Sequence, residues 1–267
     1  MRMIDSHIHI DSRPLDELVL MRMAGITAVV SQVYYPHVNT TIDAKTMFDF
    51  YDRIIHWEPY RTKLELIETY AGVGLNMRNI PTDWEKVIEA LPNYLQEERV
   101  VCIGEVGLEP ASTTGDLALQ EEIVRLELEI AKTHDMPVVF HSPIPEKAKW
   151  VEKFGSIIQK SGMNPDKVVI DHASPEVLDL IWDIGCYAGI SMQPWRNVNA
   201  VDTAKVVARG KNLDRVMINS DSSPNKNSDG LIVPRAVHEM RKMSVPEEDI
   251  QKVVWLNPVR FYRLPLR

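Results

Sequence analysis

The most unusual chemical feature of the sequence is a pair of histidines near its start, in the segment MIDSHIHID of residues 3–11. His7 and His9 are separated by one residue inside an apolar run, and Asp5 and Asp11 flank them. In an extended strand, residues i and i+2 point to the same face, so both imidazoles can reach one ligand. A buried imidazole needs partners for its ring nitrogens, so the pair indicates either a local hydrogen-bond network or a bound metal ion.

Four further polar side chains stand at the ends of other short apolar segments, where a plain hydrophobic core would not contain them. They are Glu105, His141, His172 and Asp221. Imidazole and carboxylate groups suit a divalent cation such as zinc, manganese, iron or magnesium. Together with His7 and His9 they exceed what a single ion needs, whereas two ions that share one bridging carboxylate would use them all. We therefore predict a site for two divalent metal ions, with zinc as the first choice.

Each of these residues also has a purely structural interpretation. A histidine at a strand end can be a satisfied core residue, and an aspartate at a strand-to-helix junction often caps the helix. Asp11 and Asp171, which stands next to His172, fit such a capping role. Because the structural interpretation would have to hold independently at five strand ends, we favour the metal site.

The elements that must position these side chains form a regular series of short segments with the composition of strands. They span residues 3–10, 26–33, 68–76, 100–108, 136–143, 167–174, 186–193 and 216–223. Most are separated by charged stretches with apolar residues at helical spacing, such as 116–134 and 233–243. Alternating strands and helices predict an α/β protein with a parallel sheet, and eight such units close into a (β/α)8 TIM barrel. An open doubly wound sheet is the alternative, but no G-x-G-x-x-G follows the first strand.

A barrel of this kind accounts for residues 1–267 as a single domain and brings the polar strand ends to one mouth. The formal net charge is −8, and no basic block is present, so a nucleic-acid substrate would need help from metal ions or a few loop cations. No apolar run approaches the roughly 20 residues that span a bilayer, and the N-terminus does not resemble a secretory signal. We therefore expect a cytoplasmic protein without a membrane partner. Cys102 and Cys186 lie in apolar segments, which indicates buried thiols.

The ordered set of motifs resembles the TatD-like branch of the metal-dependent amidohydrolase superfamily over essentially the whole chain. The matching segments, in that family's order, are DSHIHID, IGEVGLE, PVVFH, VIDHAS and NSDSSP, followed by the C-terminal NPVRFYRL. The resemblance implies a first ion on His7, His9 and Asp221. It implies a second ion on the remaining predicted ligands, with Glu105 as the bridge between the two.

The segments around the predicted ligands differ from those of the nuclease members of that family. The stretches after Glu105 and after His141 contain EPAST and SPIPEK, and the eighth strand ends in NSDSSP rather than E-T-D-A-P. Because the predicted metal ligands are kept and the segments beside them differ, these changes argue against DNA as the substrate more than against hydrolysis as the reaction. Lysine and arginine bind phosphate or carboxylate groups, and tryptophan offers a stacking face. On that basis the candidate substrate contacts on the loops are Trp195, Arg196, Arg78, Lys147 and Lys226.

These residues predict a binuclear, divalent-metal-dependent hydrolase. Metal ions lower the pKa of a shared water toward about 7, and the resulting hydroxide would attack a phosphoester, ester or amide bond. Asp221 is placed to accept the proton of the water and pass it to the leaving group, and Glu105 is the second residue assigned to catalysis. The alternatives are a DNase of the TatD type, a mononuclear decarboxylase and a noncatalytic metal-binding barrel. The substrate is expected to be a small molecule or a nucleic acid, and the sequence leaves the oligomeric state open.

Overall fold

A computed structural model describes residues 1–33, 43–193, 198–223 and 228–266. These residues contain a sheet of eight strands that neighbour one another in sequence order, from β1 to β8. The strands are Met3–Ile8, Ile26–Ser31, Glu68–Val73, Val100–Gly107, Val138–His141, Val168–Ile170, Tyr187–Ser191 and Val216–Asn219. Every predicted strand is present. Each strand ends before the last residue of its predicted segment. The polar residues at the end of each segment leave the sheet and form the mouth of the barrel.

Helices connect the strands along the outside of the sheet. In the described part of the chain, α1 to α11 span Leu15–Met23, Ala44–Asp52, Glu58–Lys63, Trp84–Tyr94, Leu117–Thr133, Lys147–Ser161, Leu178–Ile184, Ala200–Ala208, Ile232–Lys242, Glu247–Gln251 and Asn257–Tyr262. The predicted helical stretches 116–134 and 233–243 correspond to α5 and α9. None of the helices within the described ranges is long and apolar enough to cross a membrane.

The sheet is parallel and curls back on itself. Each sequential pair from β1·β2 to β7·β8 is parallel. Just beyond β8, the Asp221 amide donates to the His7 carbonyl at 2.9 Å, and the His9 amide donates to the Ser222 carbonyl at 2.9 Å. The molecule is therefore a nearly closed (β/α)8 barrel, as predicted, and not an open doubly wound sheet.

The barrel interior is packed with apolar side chains, and it makes room for polar groups near the mouth. Both cysteines are buried, as predicted. Gly189 in β7 shows how room is made, because a Cβ atom added there would lie 2.2 Å from Oδ1 of Asp171. Only a residue without a side chain lets that carboxylate lie inside the wall of the barrel.

Candidate metal centre

The six predicted metal ligands come together at the mouth formed by the carboxyl-terminal strand ends. Three lie within strands, namely His7 in β1, Glu105 in β4 and His141 in β5. The other three follow a strand directly, namely His9 after β1, His172 after β6 and Asp221 after β8. The expectation that one strand carries both N-terminal histidines is wrong, because β1 ends at Ile8. The two rings still meet edge to face, with centroids 5.2 Å apart.

Glu105 lies at the centre of this cluster. Its Oε1 atom is 3.0 Å from Nε2 of His172, 3.3 Å from Nδ1 of His141 and 3.5 Å from Nε2 of His7. Asn76 donates from Nδ2 to the other oxygen, Oε2, at 3.2 Å. Burial alone would raise the pKa of Glu105, but the charge of His7 and the contacts with His141 and His172 hold it well below its usual range. Glu105 is therefore an ionised carboxylate that touches three imidazoles.

Asp221 spans the other side of the cluster. Its Oδ1 atom lies 3.2 Å from Nε2 of His9 and 3.8 Å from Nε2 of His7, and its Oδ2 atom lies 3.8 Å from Nδ1 of His172. Asp221 and His172 both adopt the left-handed backbone region, with φ angles of 46° and 58°. Such backbone strain at residues other than glycine is concentrated at functional sites, and here it coincides with two predicted ligands.

Each histidine of the N-terminal pair uses one ring nitrogen to contact a protein group other than the six predicted ligands. His7 pairs through Nδ1 with Oδ2 of Asp171 at 2.5 Å, and His9 through Nδ1 with the Gln32 carbonyl at 3.1 Å. A carbonyl oxygen only accepts, so the contact with Gln32 places a proton on Nδ1 of His9 and makes Nε2, which faces Asp221, the nitrogen that can act as a ligand. Metal-binding histidines commonly have such an outer acceptor.

The other two histidines repeat this arrangement. Nδ1 of His172 lies 2.7 Å from Oγ of Ser191, while its Nε2 faces Glu105. Nε2 of His141 lies 3.6 Å from Oε2 of Glu109, while its Nδ1 faces Glu105. All four imidazoles thus turn one nitrogen toward the carboxylates of the cluster and the other toward an outer partner.

Asp171 is a residue of the site that the sequence did not reveal. Besides contacting His7, its carboxylate accepts hydrogen bonds through Oδ1 from Nδ2 of Asn219 at 2.8 Å, the His172 amide at 2.9 Å and Oγ of Ser191 at 3.1 Å. The interpretation of Asp171 as a helix cap is therefore wrong. Burial would raise its pKa, but the charges of His7 and His172 and the hydrogen bonds with His7 and Asn219 lower it to about 2. Because Asp171 and His7 are 164 residues apart, no local pattern joins them.

The residues present fit divalent cations. Nε2 of His7 is buried and has no hydrogen-bond partner among the described residues. Burial alone would lower the pKa of His7, but the charges of Glu105 and Asp171 raise it to about 9, so the cluster favours a positive charge at this point. Three triads bring one ligand atom from each member within 4.8 Å of one another, namely His7–His9–Glu105, His7–Asp171–His172 and Glu105–His141–His172.

The flanking aspartates of the opening motif have different positions. Asp5 lies below the cluster, where its Oδ1 atom accepts from the Ser220 amide at 3.0 Å and joins β1 to the end of β8. Burial raises the pKa of Asp5 to about 6. Asp11 belongs to a 3-10 turn over Ile10–Ser12, in which His9 and not Asp11 occupies the N-cap position. Its backbone carbonyl accepts from Nη2 of Arg53 at 3.1 Å.

The predicted substrate contacts fall into three groups. Trp195, Arg196 and Lys226 lie outside the described residues. Lys147 is buried at the start of α6, and its Nζ atom donates to the His172 carbonyl. Arg78, in the loop after β3, has a half-exposed side chain, and its Nη2 atom lies 3.7 Å from Oε2 of Glu109.

Comparisons of the sequence and of the fold with known proteins both find TatD-like metal-dependent hydrolases. The family model described as TatD related DNase matches residues 4–263. An uncharacterized metal-dependent hydrolase of Methanocaldococcus jannaschii is 31% identical over 262 residues, which cover 98% of this chain and 100% of that protein. The crystal structure of a TatD-like protein from Archaeoglobus fulgidus is 28% identical, with a TM-score of 0.78 over 98% of this chain and 100% of that one. A β-aspartyl dipeptidase of Fervidobacterium islandicum shares the fold at 15% identity, with a TM-score of 0.70 over 98% of this chain and 72% of that one.

Proposed function

Because the chain belongs to the TatD related DNase family of metal-dependent hydrolases, we propose that it holds two divalent metal ions at the mouth of its barrel and cleaves an ester or phosphoester bond. The observation that carries the proposal is the sharing of Glu105 by two triads of ligand atoms, His7–His9–Glu105 and Glu105–His141–His172. A carboxylate has two oxygens and can contact two cations at once. Glu105 is therefore assigned as the bridge between them.

The remaining ligands divide between the two ions. We assign His7, His9 and Asp221 to the first ion, and His141 and His172 to the second. The two triads support this division, because Glu105 joins His7 and His9 in one and His141 and His172 in the other. Asp221 goes with the first ion through its contact with His9. A set rich in imidazole favours zinc, and manganese or iron follow more readily than magnesium.

The protein side of the reaction is proton transfer and orientation. When bound, divalent ions supply a water of lowered pKa and polarise the oxygen of the scissile bond. Asp221 is assigned to proton transfer, because its two oxygens face His9 in one direction and His172 in the other. The carboxylate can accept a proton from water between these residues and return it to the leaving group. Asn76 fixes the orientation of Glu105 through the hydrogen bond to Oε2.

The family description and the net charge of the chain both bear on the type of bond that is cleaved and on the size of the substrate. The description of the family as DNases supports a phosphoester, and DNA cleavage is the second candidate function. The formal net charge of −8 favours a small molecule over a polyanion. The changed stretches EPAST and SPIPEK beside the cluster support the same choice.

Elemental analysis of the purified protein, followed by a substrate screen with and without a chelator, tests this proposal. We expect two equivalents of a divalent metal per chain and chelator-sensitive hydrolysis of a phosphodiester or a lactone, with no turnover of N-acyl amino acids. Chelator-sensitive cleavage of single-stranded DNA would favour the nuclease instead. A single ion with decarboxylation, or two ions without turnover of any substrate, would refute the hydrolase.

A further inference from the structure

The loop after β3 is anchored by hydrogen bonds to α5, to the metal centre and within itself. The Leu75 amide donates to Oε1 of Glu127 at 2.7 Å, and Asn76 donates to Glu105. The Arg78 amide donates to Oδ1 of the same Asn76 side chain at 3.0 Å. One amide side chain therefore holds both the bridging carboxylate and the backbone of Arg78, which fixes the start of the Arg78 side chain relative to the cluster.

The guanidinium of Arg78 stands beside the cluster and donates no hydrogen bond to another residue in the described part of the chain. Its side chain is 46% exposed, and within the described ranges its ion pair is with Glu109 at 3.7 Å, which is longer than a hydrogen bond. Glu109 is itself anchored, because its Oε1 atom accepts from the Ala111 amide at 3.0 Å. Oε2 of Glu109 faces His141, so Arg78, Glu109 and His141 form a continuous row that ends at the cluster.

Glu109 holds the guanidinium of Arg78 near His141 through a contact that is too long for a hydrogen bond, so this contact does not use the hydrogen-bond donors of Arg78. Lys147 differs in this respect, because it is buried and donates to the His172 carbonyl.

We propose that Arg78 binds an anionic group of the substrate, a phosphate or a carboxylate, beside the metal centre, and so selects small acidic substrates. This inference rests on the proposed function and adds the substrate class to it. A guanidinium presents two parallel N–H groups that match the oxygens of phosphate and carboxylate. The half-exposed position leaves those donors open to a ligand, while the anchored loop limits the entropy lost on binding.

Anion binding to the metal-loaded protein, measured by calorimetry with inorganic phosphate and with acetate, tests the inference. We expect Arg78→Gln to weaken phosphate binding about tenfold or more, and Arg78→Lys to weaken it less, because lysine keeps the charge without the paired donors. If Arg78→Gln loses more affinity for phosphate than for acetate, phosphate is the preferred group. If it loses more affinity for acetate, a carboxylate is preferred. Arg99→Gln is the matched control, since Arg99 is 33% exposed and pairs with Glu68 at the opposite end of the barrel.

A second measurement compares two esters with the same leaving group, p-nitrophenyl phosphate and the neutral p-nitrophenyl acetate. Arg78→Gln should lower kcat/KM for the phosphate about tenfold and leave the acetate unchanged. Equal losses on both esters, or unchanged affinity for both phosphate and acetate in Arg78→Gln, would overturn the inference. Failure of the proposed function looks different, because then the parent protein itself would lack metal or turnover.

Discussion

The two halves of the candidate metal centre differ in how deeply they are enclosed. The sealed half consists of His7 and His9 with their outer partners Asp171 and Gln32, and both histidines are almost completely buried. The open half consists of His141, Glu109 and Arg78, and the side chain of His141 is 21% exposed. His172, which we assign to the same ion as His141, is buried and forms the floor of this half. We therefore expect the sealed half to hold its proposed ion rigidly and the open half to be the side from which solvent and substrate approach.

The outer partners show the same contrast. In the sealed half, Asp171 lies 2.5 Å from the ring of His7 and is itself held by three hydrogen bonds. In the open half, Glu109 lies 3.6 Å from the ring of His141 and shares its carboxylate with Arg78. Because a closely held imidazole is a better preorganised ligand, we expect the first ion to bind more tightly than the second.

Substitution of Asp221, which faces both halves, has the largest expected effect. Asp221→Asn keeps an oxygen that can face a metal ion but cannot accept a proton at neutral pH. We expect kcat to fall about 10²–10⁴-fold with the metal content unchanged. Steady-state kinetics and elemental analysis of the same preparation check this. Full activity would remove the proton-transfer role, and parallel loss of metal would make Asp221 only a ligand.

Substitution of the outer partners tests whether the halves are independent. Loss of such a partner weakens metal binding by about 10–100-fold. We expect Asp171→Asn to weaken the tighter site most, with a smaller effect on the other site because Asp171 also holds the His172 amide and Ser191. Glu109→Gln should weaken only the other site, by a smaller factor, because its contact is longer. Titration with a competing chelator should show two phases, and each variant should shift a different one of them most. A single phase that both variants shift equally would contradict the division into halves.

Glu127 in α5 supports the loop of the open half and gives the smallest expected effect on catalysis. Burial raises its pKa to about 8, from an ordinary value of 4.5. The folded state therefore binds this proton more tightly than the unfolded state does. The stabilisation is complete below about pH 4.5 and is lost as the pH rises toward 8.

Glu127→Gln should remove this pH dependence and stabilise the fold near pH 8 by the order of 1–3 kcal/mol. Metal content and turnover should be unchanged. Urea unfolding between pH 5 and 8.5 measures the slope, and Glu122→Gln, an exposed substitution in the same helix, is the control. The same slope in Glu127→Gln as in the parent would show that another group causes it.

The sequence predicted the parts of the molecule that depend on local pattern. Strand composition gave all eight strands, and histidines and carboxylates at strand ends gave the six residues that the structure brings together. The outer partners depend on contacts across the barrel, so His7 and Asp171, which are 164 residues apart, had no common signal. Glu109 had a local signal that was not used, since it stands four residues after Glu105 in IGEVGLE.

The contact between β1 and the end of β8 also determines when the centre can form during synthesis. His9 and Asp221 face each other across 212 residues of chain. The N-terminal histidines leave the ribosome first, but Asp221 follows only after nearly all of the barrel has been made. The last helix then secures the junction, because the Tyr262 hydroxyl in α11 donates to the Ser6 carbonyl at 3.0 Å. Completion of the proposed ligand set is thus a late event in folding, and a chain that lacks β8 cannot bring Asp221 to His7 and His9.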